Sequence, residues 1–299
     1  MSDILLLNSY PTSLSIYKIC ILDEYLIIDN SSGTHIISMK SKTNIFDARF
    51  NLDCFDERLG KIAGMAYDSK TIYVLDLNTM SYKTKDVSNF IVLDDYRIHL
   101  KLNFCNDVLV MSYLKTVCVF DLNLNLIKNF NNNDAFGHCL KMTDGNFIAL
   151  GNYGITIYDS SFRKMDFYSK SLSIVDVKQK GDDFYIYCYD KVIKARYSNG
   201  NVFYIWERAI SFSGNYIKHN LLYFFKDNIN ITWKNRNIVL DGINGNIIKD
   251  IAMPSGDVDF RYNGNNTITI LWGSYKYNSR EKLSNSVVLR GDIEKIKTI

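Results

Sequence analysis

The chain has 299 residues, 47% of them apolar, and a net charge of +3 in which Lys and Arg are interspersed with Asp and Glu. That apolar fraction excludes wholesale disorder, and the lack of a concentrated basic face argues against nucleic acid as a partner. With 21 Tyr, 17 Phe and only two Pro (Pro11 and Pro254), the composition suits pleated, half-buried strands, leaving turns to Asn, Asp, Gly and Ser.

The first ten residues, MSDILLLNSY, lack the basic start and the longer apolar run of a secretory signal. No window approaches the ~18 apolar residues of a membrane span, so no membrane association is expected. Six cysteines (Cys20, Cys54, Cys105, Cys118, Cys139 and Cys188) are scattered without a C-x-x-C pair, most of them inside predicted strands. There they behave as small buried apolar residues, which fits a reducing, cytoplasmic compartment.

In chain order, Ile4–Leu7 is a spare apolar strand. The first unit follows as SLSIYKIC, EYLIID, THIISM and NIFDARF. The same rhythm of four short strands returns along the chain. Anchors at the end of each third strand fall near Met39, Asp76, Asp121, Asp159, Arg196, Asp241 and Arg290, at gaps of 37 to 49 residues. This matches the period of a four-strand propeller blade. The expected units are 14–50, 61–87, 97–130, 135–168, 172–206, 209–251 and 256–299, with 4–7 closing the ring and 293–299 as the last unit's fourth strand.

The hairpins share a device. An alternating strand ends on Asp, a polar turn follows, and a second strand leaves, as in TVCVFDLNLNLIKNF at Thr116–Phe130. Asp accepts hydrogen bonds from backbone N–H groups two residues on. Four residues after it the turn favours Gly or Asn in the left-handed region. Gly245 and Asn125 satisfy that, so the turns at Met80 and Arg163 are expected to close differently.

Val119-Phe120-Asp121, Ile157-Tyr158-Asp159 and Val74-Leu75-Asp76 resemble degenerate third-strand endings of the WD-repeat type of propeller. No Trp-Asp dipeptide occurs, and the only Gly-His, Gly137-His138, is isolated. The resemblance implies an all-β β-propeller and assigns no functional residue; the anchor spacing gives seven blades of four antiparallel strands as the expected count, or six or eight if the sixth unit is misread. Two packed sheets or a β-solenoid would also alternate in this way.

Motifs for chemistry are sparse. His35, His99, His138 and His219 lie outside metal-ligand spacing of one another or of a Cys, so no metal is expected. Nucleophile elbows and phosphate loops are missing, and no cofactor is implied. Carboxylate pairs at Asp94 and Asp95, Asp182 and Asp183, and Asp257 and Asp259 leave open a propeller hydrolase or lyase with a carboxylate-lined channel. They are equally at home in solvated turns.

What remains is surface. Links between blades, and turns between second and third strands, are expected to gather on one loop-rich face that binds another protein. The candidates are Asp53, Asp56, Glu57 and Arg58 in the stretch 51–61, read as a link between blades. Asp94, Asp95, Tyr96 and Arg97 follow, then Glu207 and Arg208 after Trp206, and Lys234 and Arg236 after Trp233. Tyr275, Tyr277 and Arg280 complete the set, in an insertion at 273–285. Tyr, Trp and Arg are the types enriched at interface hot spots. A composition rich in Asn, Ile, Lys and Tyr suggests an AT-rich genome or a mobile element. With it comes one specific expectation: a non-catalytic immunity-type protein, monomeric on its own, that neutralises a toxin by covering it.

Overall fold

The computed structural model describes residues 3–6, 16–21, 24–30, 33–38, 40–41, 43–56, 58–66, 70–91, 100–113, 116–131, 137–151, 153–210, 222–225, 227–233, 236–252, 258–264, 267–272 and 287–292. Apart from one 3-10 turn at Ser88–Phe90, every regular element among them is a strand.

Strand β1 is Asp3–Leu6. Then come β2 to β5 (Ile16–Ile21, Tyr25–Asn30, Gly33–Ser38, Asn44–Ala48) and β6 to β9 (Phe50–Asp56, Lys61–Ala66, Thr71–Asp76, Ser81–Asp86). They are followed by β10 to β13 (Leu100–Cys105, Val108–Tyr113, Thr116–Asp121, Leu126–Asn131) and β14 to β17 (His138–Lys141, Phe147–Gly151, Gly154–Tyr158, Lys164–Ser169). Strands β18 to β21 are Ile174–Lys180, Asp183–Cys188, Lys191–Ser198 and Asn201–Ala209. Strands β22 to β25 are Leu222–Phe225, Asn228–Trp233, Arg236–Asp241 and Ile247–Ala252, and β26 to β28 are Val258–Gly264, Thr267–Trp272 and Val287–Asp292.

Six sheets, not the seven expected, are built from four strands consecutive in the chain. The remaining sheet is composite, in the order β1-β28-β27-β26. Asp3 to Leu6 pair antiparallel with Arg290 to Val287, so the N-terminal strand supplies its fourth member. The 293–299 segment expected in that role lies outside the described residues.

The strands fall into two compact units. One comprises Arg49–Ile205, the other Met1–Ala48 with Trp206–Ile299. Within Arg49–Ile205 the first strands β6, β10, β14 and β18 lie side by side in that order. In the other unit β22 and β2 both adjoin β26. Exposure then follows strand position. First strands β6, β10, β14 and β18 are half-buried, β11, β15 and β16 are buried throughout, and fourth strands such as β9 and β17 face solvent.

The middle strands explain this. Successive side chains point to opposite faces, and each face meets a different sheet. On β11 and β12, Leu109, Met111, Cys118 and Phe120 pack with Ala63, Ile72 and Val74 of the preceding sheet. Val108, Val110, Val117 and Val119 pack with Phe147, Ala149 and Tyr158 of the following one. A strand buried on both faces reads as a continuous apolar run, and VLVMSY is such a run.

The Asp turns form as anticipated; Gly245 is left-handed at φ +72° as expected, while others close differently. Asp121 Oδ1 accepts the N–H groups of Asn123 and Asn125, both at 2.8 Å, and Asp159 Oδ1 accepts those of Ser161 and Arg163, both at 2.8 Å. The left-handed residue is Leu124 (φ +65°) in one and Phe162 (φ +60°) in the other, not Asn125. Met80, four residues after Asp76, is itself left-handed at φ +51°. Burial selects these side chains: Leu124 is 2% exposed, and the Phe162 ring stacks on Phe147 at 4.2 Å. In the fifth unit Arg196 replaces the anchoring Asp, and Asn199-Gly200, both left-handed, make a two-residue hairpin turn.

Candidate protein-interaction surface

Neighbouring sheets are stitched at two radii. Near their first strands, the Leu102 N–H donates to Asp53 Oδ2, and Cys105 Sγ donates to the Cys139 carbonyl at 2.7 Å. Gln179 Nε2 donates to the Lys141 carbonyl, also at 2.7 Å. Farther out, the fourth strands β9, β13 and β17 reach the last hairpin of the next sheet. Lys83 Nζ meets Asn123 Oδ1, Lys128 Nζ meets the Ser161 carbonyl at 2.8 Å, and Tyr168 OH meets Asn201 Oδ1 at 3.1 Å. Arg208 repeats the contact, with Nε on the Gly245 carbonyl and Nη2 on Asn246 Oδ1, both at 2.8 Å.

Several of the anticipated surface residues belong to this stitching. The stretch 51–61 is not a link between blades: β6 runs to Asp56 and pairs with β7 through a register shift between Leu52 and Cys54. The shift breaks the alternation that would have announced a strand. Asp56 Oδ1 accepts the Leu59 N–H at 3.0 Å, and Arg58 Nη2 donates to Asn106 Oδ1 at 2.8 Å. Both lie at the first turn of their sheet, the end opposite the turns between second and third strands. Glu207 and Arg208 are part of β21 itself. Arg236 opens β24 and forms a two-pronged pair with Asp250, at 2.8 and 2.5 Å. Glu57, Asp94, Asp95, Tyr96, Arg97, Lys234, Tyr275, Tyr277 and Arg280 lie outside the described residues, as do His99 and the 273–285 insertion.

The Asp182 and Asp183 pair is also engaged. Asp182 accepts Thr143 N and Oγ1 at 2.9 and 2.5 Å. Asp183 meets Lys194 at 3.0 Å and Arg196 at 2.6 Å. Burial acts to raise the Asp183 pKa, but hydrogen bonds from Arg196 and Lys194 win and hold it below the usual carboxylate range. A general acid would need the reverse. His138, on β14, is driven down to about 3 by burial and then by the positive charges of Lys101 and Lys178.

The exposed aromatic groups sit elsewhere. Tyr153, in the turn between β15 and β16, is 70% exposed, and Tyr189, in the turn between β19 and β20, is 55% exposed. Both occupy the turn between second and third strands, in adjacent sheets. The Lys170 N–H, on the link from β17 to β18, donates to the Tyr153 carbonyl at 3.2 Å. That bond brings the link and the turn to the same end of the sheets. The sequence does carry a sign of this, a Tyr in each of the short turns GNYGIT and CYDKVI, where no core is within reach.

No family model matches the chain, and no curated protein matches it. Solved structures do. The AfRom2 CNH domain superposes with a TM-score of 0.59 at 11% identity, over 98% of this chain and 99% of that one. BamB from Moraxella catarrhalis superposes at 0.52 and 13% identity, over 92% and 85%. PorZ of Porphyromonas gingivalis, a surface component of the type-IX secretion system, gives 0.58 and 15% over 90% of this chain and 36% of that one. The chain is a β-propeller. The likeness at these identities concerns the fold, so function has to be argued from the propeller's own surface. Among the described residues of this propeller, no helix is long and apolar enough to cross a membrane.

Proposed function

We propose that this propeller is a non-catalytic recognition module that binds another protein through the end of its sheets carrying Tyr153 and Tyr189. In this reading the composite sheet counts as a seventh blade. The observation that carries the proposal is the placement of two strongly exposed tyrosines on the corresponding turns of adjacent sheets. A tyrosine offers a large contact area with few rotors to immobilise, and tyrosine is enriched where binding energy concentrates. The turns are short and flanked by buried strands, so their geometry is set before a partner arrives. An immunity-type role against a toxin is one form of this reading, and it rests on composition.

The test is a photo-crosslinking amino acid placed at 153, at 189 and, as a control, at Tyr82 on the outer strand β9. The expected result is one shared crosslinked protein from positions 153 and 189 that is absent from position 82. The double variant Tyr153→Ala/Tyr189→Ala should lose capture of that protein with an unchanged melting temperature. Equal capture by the double variant would count against the reading.

A further inference from the structure

The outer strand β21 differs from the other outer strands. Strand β9 carries Lys83 and Lys85, β13 carries Lys128, β17 carries Lys164 and Asp166, and β25 carries Lys249 and Asp250. Charges of this kind are how open sheet edges are protected from pairing with other chains. Strand β21 has no charged residue from Asn201 to Trp206, and at nine residues it is the longest strand among those described. Phe203, Tyr204 and Ile205, three successive large side chains, are 52%, 41% and 45% exposed. The face of Phe203 and Ile205 is therefore apolar at its rim, while on the other face the Lys170 ammonium lies over the Tyr204 ring at 4.0 Å. On its far side no further strand lies among the described residues.

Such an edge constrains what can cover it. Backbone donors and acceptors at strand spacing are matched by another extended strand. In antiparallel pairing, residues directly opposite share a face. A two-fold axis through Phe203 therefore sets Phe203 against Phe203, Val202 against Tyr204, and Asn201 against Ile205. The strand contributes no charge of its own to the paired stretch: Glu207 and Arg208 fall beyond it, and Lys170 reaches only the face of the Tyr204 ring. The segment is its own complement. An isologous contact of this kind closes on two subunits and leaves no edge to propagate.

We propose that β21 pairs with β21 of a second copy of this chain, through residues 201–205 about a two-fold axis at Phe203. This surface is separate from the Tyr153 and Tyr189 turns, so either reading can fail alone.

Sedimentation equilibrium of the full chain across the micromolar range tests it, and a reversible dimer is expected. Phe203→Lys/Ile205→Lys sets like charges against each other at 203 and two more against Asn201 in that register, and should weaken association about tenfold or more, leaving the melting temperature unchanged. Ile127→Lys, at an equally exposed position on β13, should leave the dimer intact. Under mild oxidation Phe203→Cys should crosslink to itself, and Tyr82→Cys should not. A chain that stays monomeric throughout would overturn the proposal in favour of a foreign strand or none. A dimer untouched by the double Lys variant, or abolished equally by Ile127→Lys, would overturn it as well.

Discussion

Gly64 on β7 lies so close to Asn51 on β6 that a Cβ built on it would stand 2.0 Å from the Asn51 carbonyl oxygen and 2.5 Å from Phe50 Cδ2. The β6 register shift beside it, between Leu52 and Cys54, is the same accommodation viewed from the other strand. The obstacle is backbone, so it has no rotamer to move into. Gly64→Ala should cost about 3 kcal/mol by overpacking and lower the melting temperature by several degrees. Gly181→Ala is the comparison: nothing lies within 4 Å of its Cβ position, and only φ +63° opposes the change. It should cost about 1 kcal/mol. Equal melting of the two variants would contradict the close approach.

His138 should bind its proton only near pH 3. An unfolded histidine titrates near ~6.5, so between those values the unfolded chain holds the extra proton. Stability should therefore be flat above pH ~6.5 and fall on acidification, by up to about 1.4 kcal/mol per pH unit from this group. Denaturant unfolding from pH 8 to 4.5 measures the slope, and His138→Gln should flatten it. A ring-proton resonance that titrates near neutrality would refute the assignment.

Asp183 gives the complementary case. Its lowered pKa means the stabilisation is complete above the unfolded value, about 4, and disappears as pH falls through the folded one. Asp183→Asn takes the carboxylate away from the Lys194 ammonium, whose side chain is 9% exposed, and should cost about 3 kcal/mol. Arg196→Ala should cost less, because that guanidinium is 54% exposed. Chemical denaturation of the two variants at pH 7 sets the order.

Leu124 combines a left-handed backbone with a buried side chain. Leu124→Ala keeps the backbone cost and loses the packing, about 2–5 kcal/mol. Leu124→Gly loses the same packing but recovers about 1 kcal/mol of backbone strain. The glycine variant should therefore be the more stable of the two, which is opposite to their order at an ordinary strand position. Melting curves of the pair test this.

Removing residues 1–7 deletes β1 and bares the β28 edge to which it pairs. The expected outcome is a lower melting temperature together with concentration-dependent light scattering, since an unpaired edge recruits other chains. A truncated chain with wild-type melting and no scattering would show the β1 pairing to be dispensable.

Much of this architecture is legible in the residues. The recurrence of strand, Asp, turn and strand marks the hairpins because both the strand period and the Asp turn are local. The Asp121 and Asp159 turns hold as the spacing implies. The middle strands are equally plain, since burial on both faces leaves little room for polar residues. Where the reading went astray, the cause was a contact from elsewhere. Phe50–Asp56 looked like a charged loop because its polar residues serve a neighbouring sheet: Asp53 receives Leu102, and the turn that follows sends Arg58 to Asn106. The left-handed positions went to Leu124 and Phe162, where propensity favours Gly or Asn, because burial there outweighs backbone preference.

The sequence alone determined that short strands come in fours and that Asp closes four of their last hairpins, since both follow from interactions spanning a few residues. Only the tertiary structure decided that β1 completes a sheet begun more than 250 residues later, as the Asp3 and Arg290 pairing shows. It alone placed Tyr153 and Tyr189 at one end of adjacent sheets and left Phe203 to Ile205 on an uncharged edge. Exposure is a property of what packs alongside, and no local pattern records a neighbour that the chain supplies from far away.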